Sequence, residues 1–159
     1  MGFALSDLQL SSSAFAPLGA IPKKHTGEGA DVSPPLAWHK LPAKARSLAI
    51  VCHDPDAPLV TTGGTYGYVH WVLYNIPATV SSLPEAVRGY TSGKNDFGKT
   101  GYGGPMPPNG HGKHHYYFWL LALDSEPKFP DGLTLWEFLK RAEPHVIGMN
   151  RLVGTYERH

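Results

Sequence analysis

Residues 114–124 read HHYYFWLLALD, a run of aromatic and aliphatic side chains that favours a pleated strand over a helix. With a side-chain period of two, His114, Tyr116 and Phe118 share one face while His115, Tyr117 and Trp119 share the other. Two further apolar runs lie upstream. SLAIVCH at 47–53 is short, uninterrupted and closed by the turn former DPDAP at 54–58, the pattern of a buried strand. YGYVHWVLYNIP at 66–77 is aromatic and β-branched, stops at Pro77, and predicts a second strand covered on both faces with His70 at its middle. Asp54 and Asp56 then stand at a strand exit. Several strands divided by turn signals, with one strong helix signal late in the chain, argue for a mainly β fold, an antiparallel sandwich.

The helix signal is specific. Thr134 and Glu137 fit the S/T-x-x-E capping box, and Leu135, Phe138, Leu139 and Ala142 keep the i, i+3, i+4, i+7 stripe, with Pro144 as the stop. A short helical turn from Pro144 to Met149 and a final strand over 152–156 are expected beyond it. Residues 1–46 alternate short apolar pairs with turn formers. In SPPLAWHKLPAKA at 33–45, Pro34 and Pro35 exclude helix, and Trp38 is expected as a buried cap among irregular arms and edge strands. GKTGYGGPMPPNGHGK at 98–113 is too rich in Gly and Pro for helix or central strand, so a long loop of functional importance is expected there.

Composition narrows the function classes. The 159 residues amount to one domain spanning 1–159, and 18 Gly with 15 Pro beside a 42% hydrophobic fraction describe a globular chain rich in turns. Lys+Arg 14 against Asp+Glu 13 gives a net charge of +1 with no basic run, so no nucleic-acid partner is expected. No apolar run approaches the ~20 residues of a membrane helix. The start, MGFALSDLQLSSS, lacks a basic leader and carries Asp7 where an export signal stays apolar, so a cytoplasmic location is expected. Gly2 and Ser6 spell the M-G-x-x-x-S acylation pattern, which is too loose to carry weight. The single cysteine, Cys52, excludes an internal disulfide, and its apolar run marks it as an inert core residue.

Three constellations bear on chemistry. GKNDFGKT, Gly93 to Thr100, matches the Walker A pattern letter for letter, yet a phosphate loop must open a helix, and the Gly and Pro residues that follow forbid one. His111, His114 and His115 invite a metal, but neighbours on one strand point to opposite faces, so no metal or other cofactor is expected. A composite of Asp54, His70 and His114, which would serve a metal-assisted hydrolase, is the alternative. The remaining set is Asp54 and Asp56, the mid-strand His70, and the Gly/Pro loop running into His114 and Tyr116. A carboxylate beside an imidazole favours the imidazolium, and two such histidines with a tyrosine hydroxyl and loop amides can hold a small anion. Asp54 would orient rather than contact it.

DPDAP at 54–58, HW at 70–71, GYGGPMPPNG at 101–110 and HHYYF at 114–118 occur in that order, with SPPLAW at 33–38 and LVGTY at 152–156 outside them. Together they resemble the phosphatidylethanolamine-binding protein family, most closely its bacterial Raf-kinase-inhibitor-like branch. The resemblance implies two antiparallel sheets in Greek-key order with a few short helices. It also implies a small site for phosphate or a phospholipid head group, formed here by Asp54, Asp56, His70, Gly104, Pro105, His114 and Tyr116. A non-enzymatic binding protein follows, one that modulates a kinase or protease partner. A rival reading is an inhibitor acting through protein contacts alone. The branch resemblance implies a homodimer. Where animal members carry Arg after the first histidine of the HHYYF segment, this chain carries His115.

Overall fold

The computed structural model describes residues 5–57, 62 and 66–159; Gly2 of the acylation pattern and Pro58 of the DPDAP turn lie outside them. Strands β1 (Gln9–Ser11), β2 (Leu36–His39), β3 (Ser47–Asp54), β4 (Tyr68–Pro77), β5 (Ser82–Leu83), β6 (Thr91–Ser92), β7 (His114–Leu123) and β8 (Val146–Tyr156) form two antiparallel sheets. The small sheet runs β1-β2-β5 and the large one β6-β4-β3-β7-β8. In the large sheet β7 returns to lie beside β3 while β4 and β6 continue on the other side, which is the Greek-key order.

The strand β3 is central because all its residues from Ser47 to Cys52 are buried, as an uninterrupted apolar run requires. Its alternation feeds two cores. Leu48, Ile50 and Cys52 join Trp71, Leu73, Tyr116, Phe118 and Leu120 in a layer closed by Trp38, Leu36 and Leu83 of the small sheet. Ala49 and Val51 face Val72, Tyr74 and Leu121 in a second layer closed by α1 (Leu135–Ala142) and by Phe129 and Leu133 ahead of it. The helix starts where the capping box places it, with Thr134 Oγ1 accepting from the Glu137 amide and Glu137 Oε2 accepting from the Thr134 amide. Of its stripe, Leu135, Phe138 and Ala142 are buried and Leu139 packs at the margin.

Two expectations need correction. The segment 144–149 is not one helical turn: a 3-10 turn covers Glu143–His145 and β8 begins at Val146, because strand pairing with β7 outweighs the local turn signal. Trp38 is buried, but on the middle strand of the small sheet rather than an edge, with its indole N–H donating to the Val80 carbonyl. On the second face of β7, Trp119 packs into the helix-side core with the Arg151 guanidinium 5.5 Å from its ring centroid. Among the described residues the most exposed aromatic rings are Tyr66 and Trp136, both off the strands.

Two β-bulges in β4 change which residues face which core. Between the pairs Cys52–Trp71 and His53–Val69 the strand carries one extra residue, His70, and between Ile50–Leu73 and Leu48–Ile76 it carries another near Asn75. A bulge re-aims side chains relative to strict alternation. Val69 therefore packs with Val72 and Tyr74 on the helix side, while His70 lies against Tyr116 on the opposite side of the sheet. Asn75 adopts φ 58°, and its side-chain amide donates to Thr91 Oγ1 and to the Phe129 carbonyl, holding β6 and the loop before α1 to β4.

Candidate functional site

The end of β3, the start of β4 and the start of β7 meet at one end of the large sheet, and they bring Asp54, His70, His114 and Tyr116 together, all buried. Asp54 Oδ2 accepts from His114 Nδ1 at 2.7 Å, and its Oδ1 accepts from the Asp56 amide at 2.7 Å. An ionised carboxylate only accepts, so His114 carries its proton at Nδ1 and only Nε2 remains for other work. His70 Nδ1 donates to the Gly103 carbonyl at 2.6 Å. The His70 ring meets Tyr116 edge-on at 5.1 Å between centroids and is walled by Tyr68 at 5.2 Å and Phe97 at 5.4 Å.

Tyr116 is one of three exceptions, with Ser125 Oγ and Arg158 Nε, to the rule that buried polar groups are paired, and the only one of them at this site among the described residues. Its hydroxyl has no hydrogen-bond partner among the described residues. Burial pushes its phenol far above the ordinary tyrosine range, and the charge of Asp54 pushes the same way, so the group stays an O–H donor at every working pH. An unmet donor of this kind costs stability and asks for an acceptor from outside.

The other members expected at the site are engaged elsewhere. Asp56 turns away from Tyr116 and accepts from both the backbone amide and Nδ1 of His115, each at 2.8 Å. Burial alone would raise the Asp56 carboxyl, but the two bonds from His115 outweigh it and hold the group below its ordinary range. The Gly104 amide, expected as a free donor, already donates to Asp31 Oδ1 at 2.7 Å, and Pro105 accepts from the Gly27 amide. With Tyr102 Oη donating to the His25 carbonyl, these contacts clamp the Gly/Pro loop onto residues 25–31. A side chain at position 104 would meet the His25 carbonyl oxygen at 2.4 Å, which explains the glycine there by close packing rather than by ligand contact.

The expectation that both histidines are charged also changes. Burial holds His70 below the ordinary imidazole range, and the Gly103 carbonyl and Asp54 offset this only in part. The unfolded chain then binds more protons than the folded one once the pH drops below about 6.5, so stability falls with acidification from there. His53, half-buried on β3, is lowered by burial in the same sense. Thermal melts between pH 7.5 and 5 should show this fall, and His70→Gln should flatten part of it; an identical slope in the variant would contradict the assignment.

Sequence reasoning missed one member. His111, exposed in the Gly/Pro loop, places Nδ1 at 2.7 Å from His114 Nε2, with ring centroids 5.0 Å apart. The three-histidine segment had flagged it only as a metal ligand. Among the described residues no group of three or more His, Cys, Asp or Glu side chains is arranged to hold a metal ion, and Asp54 and His114 are bonded directly to each other. The Walker-like stretch is likewise consumed internally: Asn95 Oδ1 accepts from the Phe97 and Lys99 amides, and a Cβ at Gly93 would meet the Leu133 carbonyl oxygen at 2.4 Å. A concavity of about 790 Å³ lies at the opposite end of the large sheet, lined in part by Lys44, Arg46, Asp124 and Glu126. It is open and lacks buried convergent donors, so the histidine end is the better candidate on chemistry.

The sequence model of the family described as phosphatidylethanolamine-binding protein matches residues 11–157. The chain belongs to the phosphatidylethanolamine-binding protein family. A UPF0098 protein of Pyrococcus abyssi is 43% identical over 156 residues, covering 92% of this chain and 84% of the relative. Among solved structures, the phosphatidylethanolamine-binding protein homologue CT736 of Chlamydia trachomatis superposes with a TM-score of 0.88 at 37% identity, over 96% of this chain and 98% of that one. Escherichia coli YbcL, described as a member of the mammalian family, gives 0.86 at 32% identity over 97% and 100%. Family membership accounts for the two antiparallel sheets and for the joint occurrence of the four sequence motifs. No helix among the described residues is long and apolar enough to cross a membrane.

Proposed function

We propose that this family member is a binding protein for a small phosphoryl anion, held at one end of the large sheet by Tyr116, His114 and His70. The observation that carries the reading is the buried Tyr116 hydroxyl with no partner, flanked by His70 and by His114, whose ring centroid lies 6.5 Å away. Tyr116 donates to one anion oxygen. His114 donates from Nε2, and Asp54 at Nδ1 both fixes its orientation and neutralises the imidazolium, which makes this the strong charge-assisted bond of the site. His70, neutral at pH 7 and tied to Gly103 through Nδ1, presents Nε2 to a proton-bearing oxygen and becomes a second cationic donor on acidification. The apolar rings of Tyr68 and Phe97 beside it shield the site from water. The Asp31 clamp on Gly104 fixes the loop rather than touching the anion.

A free phosphate and a phospholipid head group share this chemistry. Calorimetric titration of inorganic phosphate and of phosphoethanolamine at pH 6 and pH 8 separates them. Binding is expected for wild type, tighter at pH 6, and lost in His70→Ala/His114→Ala. Preference for phosphoethanolamine would indicate a head group. Equal binding by wild type and the double variant would overturn the assignment.

A further inference from the structure

We propose that His111 is a proton-operated gate over the anion site, an inference that rests on the binding function above. The geometry is a chain of three groups: Asp54 Oδ2 on His114 Nδ1, and His114 Nε2 on His111 Nδ1, both at 2.7 Å. Because Asp54 holds Nδ1, an anion that bonds His114 has only Nε2 to use. His111 stands at that atom. The ligand and the His111 ring therefore compete for one position, and the site is closed while the two rings are joined.

The link between two imidazole nitrogens exists only when one of them lacks a proton. Either a neutral His114 accepts from His111 Nδ1–H, or a charged His114 donates to the His111 lone pair. When both rings are charged, two N–H groups face each other and the rings repel. His111 is free to leave, since its side chain is exposed and its segment turns through Gly110 at φ 71° and Gly112 at φ 95°. The core strand does not move, because His114 stays fixed by Asp54.

The surrounding charges support this direction. From β3 and its exit, Asp54 is committed to His114 and Asp56 to His115; from β4, His70 is buried. On β7 and its approach stand His115, Tyr116 and Lys113. From the β8 side come Tyr156, which pairs with His114 in the sheet, and Arg158, which lies 3.5 Å from Glu28 and donates to the Pro107 carbonyl. His111 makes no ion pair among the described residues, so nothing there offsets a second positive charge on the pair. Acid opens the site and leaves His114 charged toward the anion; neutral and alkaline pH close it.

Phosphate titration of wild type and His111→Ala at pH 5.5 and pH 8 tests the gate. The variant should bind phosphate about threefold to tenfold tighter than wild type at pH 8, since it no longer breaks the ring-to-ring bond, and the two should converge at pH 5.5. Equal or weaker binding by the variant at pH 8 overturns the gate while leaving the anion site standing. Nitrogen-15 spectra of the imidazoles give a readout independent of ligand. Removing His111 should change the pH at which the His114 nitrogens report protonation. If neither protein binds phosphate, the anion reading fails, and an unchanged His114 titration then overturns the coupling as well.

Discussion

Asp54→Ala is expected to lower the melting temperature by roughly 6–20 °C, the equivalent of about 3–5 kcal/mol for removing one partner of a buried carboxylate–imidazole pair in a domain of this size. The loss is large because one side chain closes two accounts. Its Oδ2 is the acceptor for His114, itself buried, and its Oδ1 is the acceptor for the Asp56 amide that forms the turn after β3. Alanine leaves a buried imidazole N–H and a turn amide unmet, and both penalties fall on the folded state. Asp54→Asn keeps an oxygen for the turn but removes the charge, so an intermediate loss is expected, with phosphate binding abolished in both variants. A melt within about 3 °C of wild type for Asp54→Ala would show that the pair is worth far less than its burial implies.

The strands were legible because their side-chain patterns are local. HHYYFWL alternates between buried and half-buried residues from His114 to Leu120 as the period of two requires, before β7 becomes buried on both faces, and Thr134 with Glu137 marked the helix start to the residue. Asp54 and His114 could be named from sequence, since both sit at the ends of strands whose extents were plain. What was not legible depends on register or on distant partners. Strict alternation from Val72 and Tyr74 sends His70 to the helix side, and only the bulge opposite Cys52 and His53 returns it to the side of Tyr116. No local signal announces an extra residue in one strand.

The Gly/Pro loop teaches the same lesson. Its composition excluded helix and strand, but the fate of its amides was decided by Asp31, 73 residues upstream and itself at φ 57°. The Gly104 amide is instead committed to Asp31, a partner that no local signal in the loop names. His111 lay in plain view among three histidines, yet the strand rule that separates 114 from 115 says nothing about a residue that reaches back from the loop. The charge state of His70 was misjudged for a related reason: the nearby carboxylate was visible in sequence, whereas the burial that outweighs it was not.

Tyr116→Phe separates the two roles a buried residue can have, and it is the most direct test of the anion site. Losing an unpartnered buried hydroxyl should leave stability unchanged or raise it by up to about 1 kcal/mol, because no bond inside the fold is broken. Phosphate affinity at pH 6 should fall by at least about tenfold, the worth of a hydrogen bond to a charged ligand. Both quantities are measured on the same preparation, by calorimetric titration of phosphate and by denaturant melts without it. A stable variant with weakened phosphate binding is the predicted result. A variant that binds phosphate as wild type does, or that loses more than about 1 kcal/mol of stability, would contradict the account.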